Sequence, residues 1–436
     1  MALKHRVPFY LILVLAGLAL FVPGHEIPSI ETFDYDSGDT AWMLMSTALV
    51  LIMTPGLAFF YGGMVRKKNV ISTMLQSFVS MAVITVLWVV VGFSLAFGES
   101  LGGLIGDPRQ FFLFQGVTHH APYALAPTIP FLLFALFQLK FAIITPALIT
   151  GAFAERIRFT SYLLFLILFS LFIYSPLAHA TWHPDGLLAQ AGVLDFAGGT
   201  VVHMSAGIAA LAGALFLKRR TENAHQPARI TYVLLGTGLL WFGWFGFNAG
   251  SAFGANRLSV IALATTTTAS AAAAITYILF DNYRGKRPGA MGACIGAVVG
   301  LVAITPAAGF VSVPHSIIIG ALAAILSNLM IEWRSRTSID DTLDVFPSHG
   351  VGGMVGMLLT GVFASQAVNP DIAHQGAYFG EWELFAAEAI ALVGVALFVF
   401  LGTWILLLIT NAITPMRVTE EDEALGLDVS QHNERL

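Results

Sequence analysis

Cysteine and charge are scarce in this chain of 436 residues. It has one cysteine, Cys294, which excludes an intramolecular disulfide and a thiolate metal cluster. Charged side chains make up 11% of the residues, against roughly 25% in an average soluble domain. Hydrophobic residues make up 57%, and the mean hydropathy is +0.78. Because these features persist along the whole chain, they exclude a sizeable soluble domain and predict an integral membrane protein.

Long apolar segments recur along the sequence. A transmembrane helix needs about 20 mostly apolar residues. The segments are continuous rather than alternating, and they are too long for barrel strands of about ten residues. We therefore predict an all-α integral membrane protein with eleven transmembrane helices. The predicted helices cover residues 41–63, 70–97, 127–151, 161–181, 196–217, 230–252, 258–280, 290–308, 315–331, 346–364 and 389–413.

Lysine and arginine are concentrated in alternate loops, which predicts the orientation of the helices. Only Arg109 and Arg257 fall in the opposite set of loops. The core is therefore predicted to start outside and end inside. The basic residues of the predicted inner side are Arg66, Lys67, Lys68, Arg156, Arg158, Lys218, Arg219, Arg220, Arg229, Arg284, Lys286, Arg287, Arg334, Arg336, Arg417 and Arg435.

The two ends of the chain differ from the core. Residues 1–24 combine Lys4 and Arg6 with a short apolar run, which is typical of a signal peptide. Since no clean cleavage site follows, an uncleaved signal anchor is the alternative. Residues 40–415 are predicted to form the transmembrane domain, and residues 416–436 an inner tail that is polar and acidic.

Two histidines, His203 and His349, lie in segments without any charged residue, 196–217 and 345–364. Ionisable groups at membrane depth are unfavourable and usually face a cavity or a pathway. An aspartate precedes each histidine, and glycines flank each one. By the predicted orientation, the two segments enter from opposite sides, which indicates inverted repeats of helices 1–5 and 6–10 with an additional C-terminal helix. Transporters of that kind place the substrate path at the repeat interface.

Other interpretations of these residues stay open at this stage. The two histidines can be unrelated polar groups, each satisfied by a neighbouring helix. A metal site lacks further ligands at a suitable spacing. Asp195 and Asp344 each precede an apolar run, so either one can cap a helix. The chain offers no nucleophile–base arrangement that indicates an enzyme.

Aromatic residues stand out within the third predicted helix and near the predicted outer ends of the fourth and sixth. Phe137 and Phe141 are four residues apart and share a helix face. Trp182 and Phe247 lie near outer helix ends, with Ser251 close to the latter. Aromatic faces attract small cations, although an interfacial belt and core packing explain the same pattern. Lys140 stands mid-helix, and either snorkelling or pairing with an acid would accommodate it.

Six stretches of the sequence are distinctive when taken together: Gly151-Ala-Phe-Ala-Glu-Arg156, Asp195-Phe-Ala-Gly-Gly-Thr-Val-Val-His203, Trp244-Phe-Gly-Phe-Asn-Ala-Gly-Ser251, Ile304-Thr-Pro-Ala-Ala-Gly309, Asp344 to His349 and Gly426-Leu-Asp428. With them, the chain resembles the ammonium transporter family, in its Amt/MEP branch. The likeness runs from about residue 40 to 430. After Trp182, the residues His183-Pro-Asp185 depart from the glycines common in the family, and Lys140 replaces a small or neutral residue.

The resemblance implies a role for each candidate residue. Trp182, Phe141 and Ser251 would recruit ammonium at the outer mouth, with Phe137 lining the vestibule. Phe141 and Phe247 would form a stacked gate. His203 and His349 would be twin histidines that share a hydrogen bond in the pore. Asp195 would be the carboxylate near the entry.

The resemblance also implies the activity and the partners. It implies a homotrimeric, bacterial-type ammonium channel or transporter in the plasma (inner) membrane that serves nitrogen metabolism. The channel would need neither cofactor nor metal and would bind no nucleic acid. Its partners would be ammonium or ammonia, membrane lipid and, at the cytoplasmic face, a PII-type regulatory protein. An ammonium sensor that signals through a partner is the alternative.

Overall fold

The computed structural model describes residues 6–18, 34–222 and 226–436. In these ranges a helix occupies each of the eleven predicted segments, and we label these helices α1 to α11. They are α1 Ser37–Met64, α2 Lys67–Phe97, α3 Phe131–Phe153, α4 Phe159–Gln190, α5 Gly199–Leu217, α6 Ile230–Ala252, α7 Arg257–Tyr283, α8 Ala290–Ile304, α9 Val313–Ser335, α10 Phe346–Val351 continued by Gly352–Phe363, and α11 Glu383–Ile413.

Nine helices in the described part of the chain are long and apolar enough to cross a membrane. They are α1 to α7, α9 and α11. The remaining two are shorter: α8 has 15 residues, and the α-helical part of α10 has 12. This architecture confirms the prediction of a multi-pass, all-helical membrane protein in outline.

Two short hairpins lie in the loop between α2 and α3. The second hairpin extends over residues 127–130, which were predicted to be helical. Residues 100–101 pair with 105–106, and 122–123 pair with 126–130. Helix α3 therefore begins at Phe131 rather than at 127. The cause is local, since Pro127 and Pro130 disfavour helical conformation in the residues that precede them. Helix α8 ends at Ile304, two residues before Pro306.

His203 and His349 each lie in a π-helical turn at the start of a helix. Residues Gly199–Met204 form the first and Phe346–Val351 the second. In the first, the backbone N–H of His203 donates to the carbonyl of Gly198, five residues earlier, over 3.1 Å. Such turns are rare and occur frequently at functional sites. They change the direction in which the side chains leave the helix.

Glycine lets α5 and α10 cross in close contact. A Cβ added at Gly207 would collide with the backbone of Gly350, the residue after His349. Gly207 is one helical turn beyond His203, so this contact draws the two histidine-bearing turns together. Small residues of this kind allow membrane helices to approach at backbone distance.

The C-terminal tail folds back onto the predicted inner side. Two short helices, Glu420–Leu425 and Leu427–His432, follow α11. The Asp428 carboxylate accepts from the N–H groups of Ile71 and Ser72 at the start of α2, over 3.1 and 2.8 Å. The tail is therefore packed against the core rather than extended.

The N-terminal leader is described in part. Residues Val7–Leu18 form a helix, while residues 1–5 and 19–24 of the predicted leader lie outside the described residues. Whether this segment is cleaved stays a prediction.

Candidate functional site: an aromatic path to paired histidines

A cavity of about 100 Å³ opens at the predicted outer ends of α3, α4 and α6. Its walls are mostly aromatic, with two polar side chains among them. This combination suits a small cation, because ring faces attract positive charge and the polar oxygens accept hydrogen bonds. The lining residues are Phe97, Leu125, Gln138, Phe141, Trp182, Phe196, Ser251 and Phe253.

The two polar side chains present acceptor oxygens. The hydroxyl of Ser251 donates to the carbonyl of Phe247 over 2.8 Å, so its lone pairs are left for an incoming donor. Gln138 is 4% exposed, and its Oε1 atom has no hydrogen-bond partner within the described part of the chain. A buried acceptor without a partner is unfavourable unless a donor reaches it.

Trp182 and Asp195 are joined at the entry. The Trp182 indole N–H donates to the backbone carbonyl of Asp195 over 3.0 Å. The Asp195 carboxylate accepts from four backbone N–H groups at the start of α5, those of Gly198, Gly199, Thr200 and Val201, over 2.7 to 3.2 Å. Asp195 therefore caps the helix that carries His203 and orients Trp182 at the same time.

Two stacked rings close the cavity on its deep side. The centroids of Phe141 and Phe247 lie 4.2 Å apart, with 28° between the ring planes. Phe141 also meets Trp182 edge-on at 6.0 Å. Both phenylalanines are buried, and Phe247 approaches the ring of His203 at 5.8 Å. The rings thus separate the outer cavity from the histidines.

The two histidines face each other directly below this stack. Nδ1 of His203 lies 3.3 Å from Nδ1 of His349, and both residues are buried. They line a small enclosed space of about 10 Å³ together with apolar side chains of α1, α3, α6 and α8. Because neutral imidazole carries one N–H, one Nδ1 donates and the other accepts. The two Nε2 atoms consequently take opposite roles, one acceptor and one donor.

Trp244 supports the histidine pair from behind. Its indole stacks on His203 at 5.1 Å, and its N–H donates to the hydroxyl of Thr305 over 2.9 Å. Thr305 in turn donates to the carbonyl of Leu301. The ring of His203 is therefore held between the Trp244 indole and His349.

The sequence-predicted residues fall into two groups. The structure brings Phe141, Phe247, His203 and His349 into one line below the cavity that Trp182 and Ser251 help to form. Phe137 and Asp195 are outside the lining of that cavity. Phe137 is fully buried and packs behind Phe141 at 4.9 Å, and Asp195 acts through its hydrogen bonds. Lys140 is half-buried on α3.

Sequence reasoning missed Gln138, Phe196, Phe253, Trp244 and Thr305. The signal for Gln138 was present, because it is one of two polar residues, with Lys140, between Phe137 and Phe141. The contribution of Thr305 could be recognised only from the fold, because Thr305 follows α8 and is 61 residues from Trp244 in the chain. No group of three or more metal-ligating side chains suited to an ion occurs in the described residues.

A buried ionic cluster holds the predicted inner side together. Glu155 is fully buried and accepts from Arg66 and Arg220, both at 2.7 Å. Burial alone would raise the pKa of Glu155, but the positive charges of Arg220 and Arg66 outweigh it and lower the pKa below its ordinary value. Burial likewise opposes ionisation of Asp340, yet its hydrogen bonds and charge contacts with Arg220 and Arg156 bring its pKa to about 2.

Beside this cluster, a wider cavity of about 390 Å³ opens on the same side. Arg219, Arg220 and Arg334 line it, together with Asp340 and Asp344. Its mixed charge contrasts with the aromatic lining of the outer cavity, so the two ends of the molecule differ in chemistry.

The fold and the site together define a multi-pass helical membrane protein with an aromatic cavity, a buried histidine pair and a separate, charged cavity. The chain belongs to the Ammonium Transporter Family, whose model matches residues 41–435. This is a family of transporters rather than of enzymes, and ammonium transport is the function that the relatives support.

Named relatives come from archaea and bacteria. The putative ammonium transporter of Methanothermobacter thermautotrophicus is 45% identical over 401 residues, which cover 92% of this chain and 98% of the relative. The ammonium transporter of Aquifex aeolicus is 45% identical over 405 residues, covering 92% and 93%.

Solved structures resemble the fold closely. Mep2 of Saccharomyces cerevisiae superposes with a TM-score of 0.83 at 34% identity and 89% coverage of both chains. A protein described as a sensor Amt protein superposes with a TM-score of 0.82 at 29% identity, covering 91% of this chain and 98% of its own.

Proposed function

We propose that this chain recruits ammonium at the outer aromatic cavity, removes its proton and conducts ammonia past the paired histidines. The observation that carries the proposal is the unbroken contact series from Phe141 through Phe247 and His203 to His349. It joins the outer cavity to the small enclosed space beneath the rings.

Recruitment rests on the lining of the outer cavity. Trp182 and Phe141 offer ring faces to a cation, and a well-placed cation–π contact contributes about 0.5–2 kcal/mol. Ser251 and Gln138 offer acceptor oxygens to the ammonium N–H groups. A potassium ion can use the same ring faces and the same oxygens. It has no proton to give up, however, so only ammonium can continue beyond the cavity as a neutral molecule.

Deprotonation follows from the dryness of the path beyond the cavity. Transfer of an unpaired charge into an apolar interior is strongly unfavourable, whereas neutral ammonia loses only hydrogen bonds. Phe141 and Phe247 are buried and leave little room for a hydrated ion. The ion therefore gives up its proton to water at the mouth of the cavity, and ammonia crosses with or without a separate route that carries the proton inward.

The histidine pair replaces some of the hydrogen bonds that ammonia loses. One Nε2 atom accepts and the other donates, so the pair can receive an N–H of ammonia at one site and donate to its lone pair at the other. Nε2 of His203 is buried and has no hydrogen-bond partner in the described ranges, which leaves it free for this task.

The assembly and topology are part of the same proposal. We propose eleven crossings with an inverted 5+5 repeat and a C-terminal helix, in a homotrimer of the plasma (inner) membrane. The core would start outside, and the tail would be cytoplasmic. The matched π-helical turns at His203 and His349 support the repeat, and the basic loops support the orientation.

Sensing is the second candidate function. A similar fold occurs in a protein described as a sensor, and the inner cavity with its arginine and aspartate lining offers a surface to a partner. A PII-type regulatory protein at that face is the partner we propose. Such a partner is compatible with transport, so flux measurement decides between a transporter and a pure sensor.

Flux into proteoliposomes tests the proposal. An imposed ammonium gradient should move nitrogen and change the internal pH, while a matched potassium gradient should do neither. Simultaneous current recording separates electrogenic from electroneutral transport. Binding of ammonium without flux would favour the sensor, and equal flux of potassium would refute the selective path.

A further inference from the structure

Glu388 is a fully buried acid on α11 that the proposed transport path does not use. Its side chain is 0% exposed. Oε1 accepts from the backbone N–H of Leu194 over 2.8 Å, and Oε2 has no hydrogen-bond partner in the described residues. A buried acidic side chain inside an apolar helix is unfavourable, so a specific task is needed to account for it.

The segment that Glu388 holds, residues 194–196, contributes to three parts of the outer site. Asp195 accepts the Trp182 indole through its carbonyl and caps α5 through its carboxylate. The next residue, Phe196, forms part of the cavity wall. A shift of this short segment would therefore move the indole, the wall and the start of the helix that carries His203.

Two contacts from outside brace this segment on both sides of Asp195. The N–H of Leu194 donates to Glu388, and the N–H of Phe196 donates to the carbonyl of Pro306 over 3.1 Å. The acceptor at Pro306 is a backbone carbonyl, so it does not depend on which side chain stands at that position. The Glu388 acceptor is a side chain, so it depends on the residue at that position.

The side chain of Glu388 is packed closely against α10. A Cβ added at Gly361 of α10 would lie 3.2 Å from Cγ of Glu388 and 2.9 Å from the Cα of Phe385. Helices α10 and α11 thus meet at backbone distance beside the acid. This packing fixes the direction in which the carboxyl group points, toward the segment 194–196.

We propose that Glu388 is a positioning residue for the outer cation site. By accepting the Leu194 N–H, it holds the segment 194–196 and thereby the orientation of Trp182 and the wall at Phe196. This inference rests on the proposed transport function for its flux readout, but its structural readout is independent of transport.

The test compares Glu388→Gln, which keeps an acceptor oxygen, with Glu388→Ala and Glu388→Met, which remove it. Met keeps nearly the length of Glu and guards against collapse of the helix packing. Val395→Ala is the matched control, because Val395 is a buried residue two turns further along the same helix. Each protein is studied in full length in lipid nanodiscs and proteoliposomes, with ammonium as the substrate.

Hydrogen exchange at the Leu194 amide is the structural readout. It should be on the order of tenfold faster in the Ala and Met variants than in the wild type, as expected for the loss of one buried hydrogen bond. The Gln variant and Val395→Ala should exchange like the wild type. Unchanged exchange in both the Ala and Met variants would overturn the proposal.

Transport kinetics supply the second readout. The apparent KM for ammonium should rise several-fold in Glu388→Ala and Glu388→Met, with a smaller change in maximal flux, and Glu388→Gln should restore the wild-type KM. A Gln variant as impaired as the Ala variant, or an equal defect in Val395→Ala, would refute the role of the acceptor oxygen. Absence of ammonium flux in the wild type would instead refute the proposed function. The role of Glu388 would then be tested by the hydrogen exchange of the Leu194 amide alone.

Discussion

His203 and His349 lie 146 residues apart in the chain, and their Nδ1 atoms are 3.3 Å apart in the fold. A bond between two imidazoles forces opposite roles on their outer nitrogens. The pair therefore offers both a donor and an acceptor to a small neutral molecule without carrying charge. A single neutral imidazole also carries one donor and one acceptor, but the bond between the two rings fixes which role each outer nitrogen takes.

Removing both histidines should slow ammonia passage. In His203→Ala/His349→Ala, ammonia would meet an apolar space without hydrogen-bond partners. We expect ammonium flux to fall on the order of tenfold, corresponding to one or two lost hydrogen bonds. Stopped-flow measurement of internal pH in proteoliposomes gives the rate. Undiminished, ammonium-specific flux in the double variant would contradict the role of the pair.

Truncating the inner ring of the stack should weaken selectivity. Phe247→Ala opens space between Phe141 and His203, so that water and hydrated ions can enter a path that is otherwise dry. We expect the flux ratio of ammonium to potassium to fall on the order of tenfold. The control is Phe169→Ala, a buried aromatic residue of α4 outside both pore cavities. It should lose stability but keep its selectivity.

Removing the Asp195 carboxylate should destabilise the start of α5. Asp195→Ala leaves four backbone N–H groups without their acceptor, and we expect a loss of about 2 kcal/mol in stability together with impaired transport. The exposed cap residue Asp36 of α1 accepts from a single N–H group, that of Asp39. Asp36→Ala should therefore lower the free energy of unfolding by less, about 0.5 kcal/mol. Thermal unfolding in detergent compares the two variants, and equal losses would argue against the assigned role.

Glu155 of the inner ionic cluster should make a contribution to the free energy of unfolding that varies with pH. The folded-state pKa of Glu155 is lowered, so its contribution is complete above the unfolded pKa of about 4.3 and is lost as the pH falls through the folded value. Glu155→Gln should lower stability by about 3 kcal/mol at pH 7. The difference in the free energy of unfolding between Glu155→Gln and the wild type should disappear only below about pH 4.

A neighbouring acid supplies the control for Glu155. Glu222 also pairs with Arg66 at 2.7 Å, but its side chain is 58% exposed. Solvent screens such a pair, so Glu222→Gln should change stability by about 0.5 kcal/mol or less. Thermal unfolding followed from pH 3 to 8 compares the two variants. A pH-independent gap between wild type and Glu155→Gln would show that ionisation of Glu155 is not the cause.

Much of the helix layout could be predicted from the sequence, because hydrophobic length is a local property. A helix occupies each of the eleven predicted segments, with shifts of up to nine residues at the ends. The shifts have local causes, such as the strand that precedes Phe131. The π-helical turns at the two histidines were not predictable, because nothing in a run of apolar residues distinguishes them from an ordinary helix.

The candidate site was predictable only in part. Aromatic and histidine residues stand out in the sequence, and the motifs resemble a known family. Phe137 was predicted to line the vestibule, yet it packs behind Phe141. Asp195 was predicted to lie near the entry and was a candidate helix cap, and the structure shows that it caps α5 through backbone N–H groups. Which side of a fully apolar helix faces a cavity depends on neighbouring helices, and helix periodicity does not reveal it.

The sequence by itself determined that this protein lies in a membrane, where its helices run and which loops carry positive charge, because each of these follows from the local free energy of transfer from water to lipid. Only the tertiary structure decided which residues meet. The contact of Gly207 with Gly350 brings His203 to His349, and the segment 194–196 joins Trp182, α5 and Glu388. These contacts join residues far apart in the chain, so their geometry depends on how the helices pack and not on the hydropathy of any one of them.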